Sequence, residues 1–177
     1  TGLASEYIPD CNANNGNAAI ACTAINQLIG FPYSRPKRAP PDDTSPAFLD
    51  CSALTGMAVY RTFGVNLNGL CSVGHLTNSN FERIDVRDVQ PGDFVGKGTI
   101  CGSNSDGVSG HVALVVSYDS SARKLITIET GSTRYLSGLR GSGGAETYNV
   151  GFTEDGNGNY TWAARYIGDK TLQPGAL

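Results

Sequence analysis

Phe48-Leu49-Asp50-Cys51-Ser52-Ala53-Leu54-Thr55-Gly56-Met57-Ala58-Val59-Tyr60-Arg61-Thr62-Phe63-Gly64 is the stretch on which the reading of this chain turns. A Pro- and Asp-rich loop, Pro40 to Pro46, runs into it. Leu54, Met57 or Ala58, the stem of Arg61, and Phe63 then recur close to one helical face. Asp50 has the side chain of a good N-cap, and Gly64 is a natural left-handed terminator. The spacing therefore predicts a helix whose first turn holds Cys51. Unpaired N–H groups and the positive end of the helix dipole favour a negatively charged sulfur there. Cys51 also reads as a buried small hydrophobe or half of a disulfide; its place at a helix start, after a loop, points to a reactive role.

The chain has 177 residues, the size of one ordinary domain, and 40% of them are hydrophobic, enough for one core. The longest apolar run, Val112 to Val116, is far too short to span a membrane. No charged-then-apolar leader opens the sequence, so a secretory signal is expected to be absent or already removed. The net charge of -3 is mild. Arg35, Lys37 and Arg38 form the one basic cluster, among prolines, and read as a solvated loop rather than a nucleic-acid surface.

Five cysteines occur, at 11, 22, 51, 71 and 101, with no C-x-x-C pair and no His at metal spacing, which argues against a zinc site. Most lie in Asn-, Gly- and Ser-rich stretches, as in extracytoplasmic loops. An odd count in an oxidising compartment suggests two bridges and one free thiol. Cys11–Cys22 and Cys71–Cys101 are the preferred pairs, leaving Cys51 free. Four cysteines allow three pairings, and spacing does not choose among them.

Residues 1–16 read as an irregular arm, 17–29 as a helix stopped by Gly30, and 65–80 as a polar, Gly-rich loop. Val86 to Val95 reads as a turn entering a strand. His111 to Tyr118 is the strongest strand, followed by a turn at 119–123 and a returning strand at Lys124 to Thr130. A last hairpin is expected with arms near Thr147–Thr153 and Tyr160–Ile167. Its turn at Asp155-Gly156-Asn157-Gly158 imitates a calcium loop but lacks the Gly at loop position six and the acid at position twelve. Helices first and antiparallel strands after make an α+β domain with segregated layers.

The chain has two histidines. His75, in a loop beside Gly74, reads as a surface residue. His111 opens the most apolar strand and would sit at the sheet's end, facing the layer packed on it. If the Cys51 helix packs on that face, thiol and imidazole can form a thiolate–imidazolium pair. The other reading of His111 is a core histidine satisfied by backbone. Glu129, near the end of the next strand, could support the same imidazole. Cys51, His111 and Glu129 thus fit a nucleophile, a base and an orienting carboxylate.

Asp50-Cys51-Ser52-Ala53-Leu54, followed by Tyr60-Arg61 and Gly64-Val65-Asn66-Leu67, resembles the D-C-S-G-L…Y-R…G-x-x-L motif of the NlpC-type ("p-sixty") cell-wall cysteine peptidases. Four more stretches match in order. Leu28 to Tyr33 is similar to the family's first helix ending in G-x-P-Y, and Val89 to Phe94 to its L-x-P-G-D-L. Gly110 to Val115 is similar to H-V-G-I-Y-L, and Ala164-Arg165-Tyr166 to the closing A-R-R-Y. Together they cover residues 18–168.

The resemblance implies a papain-like fold, a single catalytic domain over residues 1–177, and no metal or organic cofactor. It implies cleavage of peptidoglycan stem peptides, typically between γ-D-glutamate and a diamino acid. Cys51 would be the nucleophile and His111 the base. Tyr33, Asp50 and Ser52 would line the substrate site, with Tyr33 helping the Cys51 N–H hold the oxyanion. The bland alternatives are packing for Tyr33, a cap for Asp50 and an exposed first-turn residue in Ser52.

Three departures bear on this. Ala53 stands where the family has Gly, Asn68-Gly69-Leu70-Cys71 replaces its Pro-Arg and Ser after Leu67, and Glu129 occupies a position that is usually His or another polar residue. No repeat-type wall-binding module is expected within these residues. The expected setting is extracytoplasmic: a secreted monomer, a toxin delivered to another cell's periplasm with an immunity or inhibitor protein as partner, or a catalytic domain of a longer chain. Two other functions stay open. One is a CHAP-type N-acetylmuramoyl-L-alanine amidase or an acyltransferase using the same Cys-His pair; the other is a disulfide-stapled binding module with a dead site.

Overall fold

Asp50 adopts an extended conformation, and its Oδ1 accepts the Ala53 N–H at 2.8 Å, so the helix begins at Cys51 as expected. This helix, α3 (Cys51–Phe63), ends at Gly64, whose φ of 73° is the left-handed terminator. Before it come α1 (Gly2–Tyr7) and α2 (Ala18–Gln27). The strands are β1 (Phe81–Ile84), β2 (Phe94–Lys97), β3 (His111–Asp119), β4 (Lys124–Glu129), β5 (Gly138–Gly141) and β6 (Trp162–Tyr166). The computed structural model describes residues 2–101, 110–121, 124–130, 138–141 and 160–177. The hairpin arm expected at 147–153 and its turn at 155–158 lie outside the described residues.

Among the described residues the strands form one antiparallel sheet in the order β1-β6-β2-β3-β4-β5. Helices α2 and α3 pack against β3, giving the α+β layering expected. Val112 to Val116 is buried without interruption because β3 is covered on both faces. Val112, Leu114 and Val116 face the helices with Leu54, Met57 and Phe94. Ala113 and Val115 join Val95, Leu125, Tyr160 and Ala163 in a second cluster. Helix α3 is enclosed more fully than a one-faced pattern suggests: ten of its thirteen residues are buried.

Several expectations need correction. The arm at 1–16 is not wholly irregular: it contains α1 and a 3-10 turn at Ala13–Asn15, and the Cys11–Cys22 disulfide ties it to α2. Strands β1 and β5 arise in stretches that carry no strand signal in the sequence, because too few apolar residues alternate there. Both sit at the sheet's two edges, where pairing with one neighbour suffices.

His75 is not a surface residue; it is fully buried. Its Nδ1 donates to the carbonyls of Ser72 (2.9 Å) and Cys71 (3.1 Å), and Nε2 meets Thr55 Oγ1 of α3 at 3.0 Å. Phe81 and Phe94 pack on its ring, with centroids 4.9 and 5.2 Å away. Burial lowers its pKa to about 4, against backbone hydrogen bonds to Ser72 and Cys71 that push the other way. A histidine that protonates more readily unfolded than folded favours the folded state only while both are neutral. Its contribution is complete above pH 6.5 and is lost as pH falls toward 4, about 3 kcal/mol in all at 1.36 kcal/mol per unit. Urea midpoints measured at pH 7 and pH 4.5 should therefore fall steeply for the native protein. The His75→Gln variant should be weaker at pH 7 but show a flatter decline; equal declines would contradict this role.

Candidate active site

The loop before α3 folds back on itself. Ala39 N–H donates to the Phe48 carbonyl at 3.0 Å, and Asp43 N–H turns onto Pro40. The closure sets residue 38 beside residue 50. Arg38 Nη1 then bonds Ser52 Oγ (2.9 Å), Asp50 Oδ2 (3.3 Å) and the Leu70 carbonyl (3.5 Å). Arg38 is not a solvated loop residue, as its basic cluster suggests, but packs beside the start of α3. Only the loop's closure places it there, and no local pattern announces that.

Tyr33 lies alongside the same entry to the helix, through a parallel bridge to Leu49. Leu49 N–H donates to the Pro32 carbonyl at 3.0 Å. The phenol's pKa is raised by burial, then by the negative charges of Cys51 and Asp50, against Arg35. Tyr33, Asp50, Cys51 and Ser52 therefore share one corner. Asp50 and Ser52 are buried, so neither the cap-only nor the exposed first-turn reading describes them fully.

His111 begins β3 opposite Lys97 of β2. A Cβ on the preceding Gly110 would collide with Ser72 Oγ and the Ile100 carbonyl, so only glycine permits this approach. The neighbouring disulfide, Cys71–Cys101, with Cα atoms 5.6 Å apart, ties those two segments together. Cys51 is unbridged. Both bridges are thus the preferred pair among three possible pairings.

Strand alternation groups His111 with Ala113 and Val115. At the start of the strand its ring hydrogen-bonds Cys51 of the helix layer and also meets Glu129. His111 Nε2 lies 3.1 Å from Glu129 Oε1. Glu129 Oε2 accepts hydroxyl protons from Thr127 (2.6 Å) and Tyr160. No pattern in the sequence names these two donors together. Thr127 was within reach of a sequence argument, being two residues from Glu129 on one strand, whereas Tyr160 carries no such signal.

Because the carboxylate takes the Nε2 proton, Nδ1 is the nitrogen left for the thiol. Burial acts to lower the His111 pKa, but hydrogen bonds to Cys51 and Glu129, and their negative charges, raise it to about 9. Burial acts to raise the Glu129 pKa; the His111 hydrogen bond and charge, with Thr127 and Tyr160, bring it down. The side chains of His111 and Glu129 are 18% and 6% exposed, so water screens the pair little.

Replacing Glu129 by Gln removes the negative charge that helps hold His111 protonated. The alkaline limb of a pH–rate profile should then move below its native position near pH 9. Glu129→Ala should also leave the ring unoriented and slow turnover by about 10- to 1000-fold. An unmoved alkaline limb in the Gln variant, with near-native rates in the Ala variant, would rule out this positioning role.

No protein-family model matches the chain, and no curated protein matches it. Among solved structures, the chain is similar to the "Crystal structure of NlpC/p60 domain of peptidoglycan hydrolase SagA". The TM-score is 0.48 and the identity 18%, over 84% of this chain and 97% of that one.

Proposed function

We propose that the chain is a cysteine peptidase of peptidoglycan, cleaving stem peptides at the bond between a γ-linked D-glutamyl residue and a diamino acid. The observation that carries this reading is the Cys51–His111–Glu129 relay: a thiol at a helix start, an imidazole whose pKa its two partners raise to about 9, and a buried carboxylate on the ring's far nitrogen. The collinear motifs described above supply the substrate class.

In this mechanism the Cys51 thiolate attacks the scissile carbonyl carbon, and the carbonyl electron pair moves onto oxygen. The Cys51 backbone N–H, which opens α3 and has no intrahelical partner, donates to that oxyanion, with Tyr33 beside it. The imidazolium gives its Nδ1 proton to the departing amine as the C–N bond breaks. A thioester remains on Cys51. Neutral His111 then takes a proton from water, the hydroxide displaces the thiolate, and the acid product leaves. Glu129 holds the ring and its charge throughout without touching substrate.

The same reading takes residues 1–177 as one catalytic unit working outside the cytoplasm, where two disulfides persist. Among the described residues no helix is long and apolar enough to cross a membrane. Action as a toxin delivered into a neighbouring cell's periplasm is one setting for such a unit. A carboxylate in the orienting position also suits an amidase, which would free the stem from the sugar. Incubation with purified peptidoglycan and mass analysis of the products separates the two: cleaved stems still attached to muramic acid support the peptidase, and lactyl ends freed of peptide support the amidase. Cys51→Ala should lose several orders of magnitude of this activity while keeping its unfolding midpoint. Native rates in that variant would falsify the nucleophile assignment.

A further inference from the structure

Next to Cys51, the first turns of α3 form one wall of a cavity of about 160 Å³. Ser52 and Gly56 come from the helix, Arg38 and Pro41 from the loop before it, and Leu67 and Asn68 from the segment after it. The volume is enough for a small polar substituent of a ligand together with several waters. Arg38 is the one charged residue among those lining it.

The guanidinium is held at one end and open at the other. Nη1 carries the bonds to Ser52, Asp50 and Leu70, while Nε and Nη2 make no hydrogen bond among the described residues. Nε and Nη2 share one edge of the planar group, two parallel donors whose spacing matches the two oxygens of a carboxylate. The side chain is 34% exposed, so that edge can be reached from outside. Asp50 offsets part of the charge through Nη1 but leaves the edge's geometry intact. Arg35 adds positive charge close by, acting on Tyr33.

Gly56 supplies an independent sign that the space is kept open. A glycine in a helix interior weakens the helix relative to alanine. No close packing requires it: a Cβ would meet only Pro41 Cγ, at 3.8 Å, an ordinary contact. What the missing side chain preserves is the cavity.

We propose that this cavity is a specificity subsite for a free carboxylate of the stem peptide, bound side-on by Nε and Nη2 of Arg38, and that it separates free-acid stems from amidated ones. The inference rests on the reading of the chain as a stem-peptide hydrolase. An amide in the same place keeps one acceptor oxygen but presents an NH2 group to the second donor and carries no charge.

Two synthetic stem peptides test this, identical except that the γ-linked D-glutamyl residue carries an α-carboxylate in one and an α-carboxamide in the other. The native protein should favour the free acid in kcat/KM by about 10- to 100-fold. Arg38→Gln should bring the ratio close to one through a higher KM for the acid, and Arg38→Lys should restore part of it. Gly56→Leu, which fills the cavity without touching the bonds of Arg38, should also lower the ratio. If Arg38 merely props Asp50 and Ser52, both peptides will slow together and the ratio will persist in Arg38→Gln. That result, or equal native rates on the two peptides, overturns the subsite and leaves the hydrolase reading standing. Failure to cleave either peptide or whole peptidoglycan overturns the hydrolase reading and the subsite with it.

Discussion

The Asp50 carboxylate joins helix geometry to site geometry. One oxygen caps α3 through the Ala53 N–H, and the other receives Arg38. A cap of this kind stabilises a helix by about 1 kcal/mol, a small fraction of what burial contributes along α3. Its importance is positional. The cap fixes which residue is first in the helix, and so leaves the Cys51 N–H unpaired beside its own sulfur. The same carboxylate recruits the loop that carries Arg38. Without it the helix could start a turn later, and the Cys51 thiol, its free N–H and the cavity wall would lose their common reference.

The opposite half of the site depends on a carboxylate too, but in a different way. Glu129 is buried, where an unpaired charge would be costly. Three donors surround it: the His111 ring, Thr127 and Tyr160. Two of these come from the strand pair β3–β4, and Tyr160 comes from just before β6. The imidazole is therefore positioned by the sheet's register and not by a flexible loop. Gly110 and the Cys71–Cys101 bridge hold the approach to His111 from the other side. His75, the second histidine, works as a neutral core polar group that links Thr55 of α3 to the segment preceding β1.

Much of this is legible in sequence because it is local. The limits of α3 follow from a cap at Asp50 and a glycine at 64. The β3–β4 pairing follows from two apolar runs joined by a short turn. The trio of Cys51, His111 and Glu129 comes together because a helix start and two adjacent strand ends are all near one rim. What sequence missed depends on distant closure. Arg38 looks solvated until the loop from Pro40 to Pro46 folds and returns it to Asp50. His75 looks exposed in a polar stretch, yet that stretch lies across Phe81 and Phe94. Strands β1 and β5 are short and edge-placed, too sparse in alternating apolar residues to register.

If Cys51, His111 and Glu129 act as one coupled unit, His111 is held as an imidazolium at neutral pH. With two histidines in the chain, the ring resonances can be followed by NMR across a pH titration. His75 should titrate near pH 4 and His111 near pH 9 in the native protein. Substituting Cys51 by Ala, which removes one hydrogen bond and one negative charge, should move the His111 midpoint down and leave His75 where it was. A native His111 midpoint at or below 6.5, or the same midpoint with and without the Cys51 sulfur, would contradict the coupling.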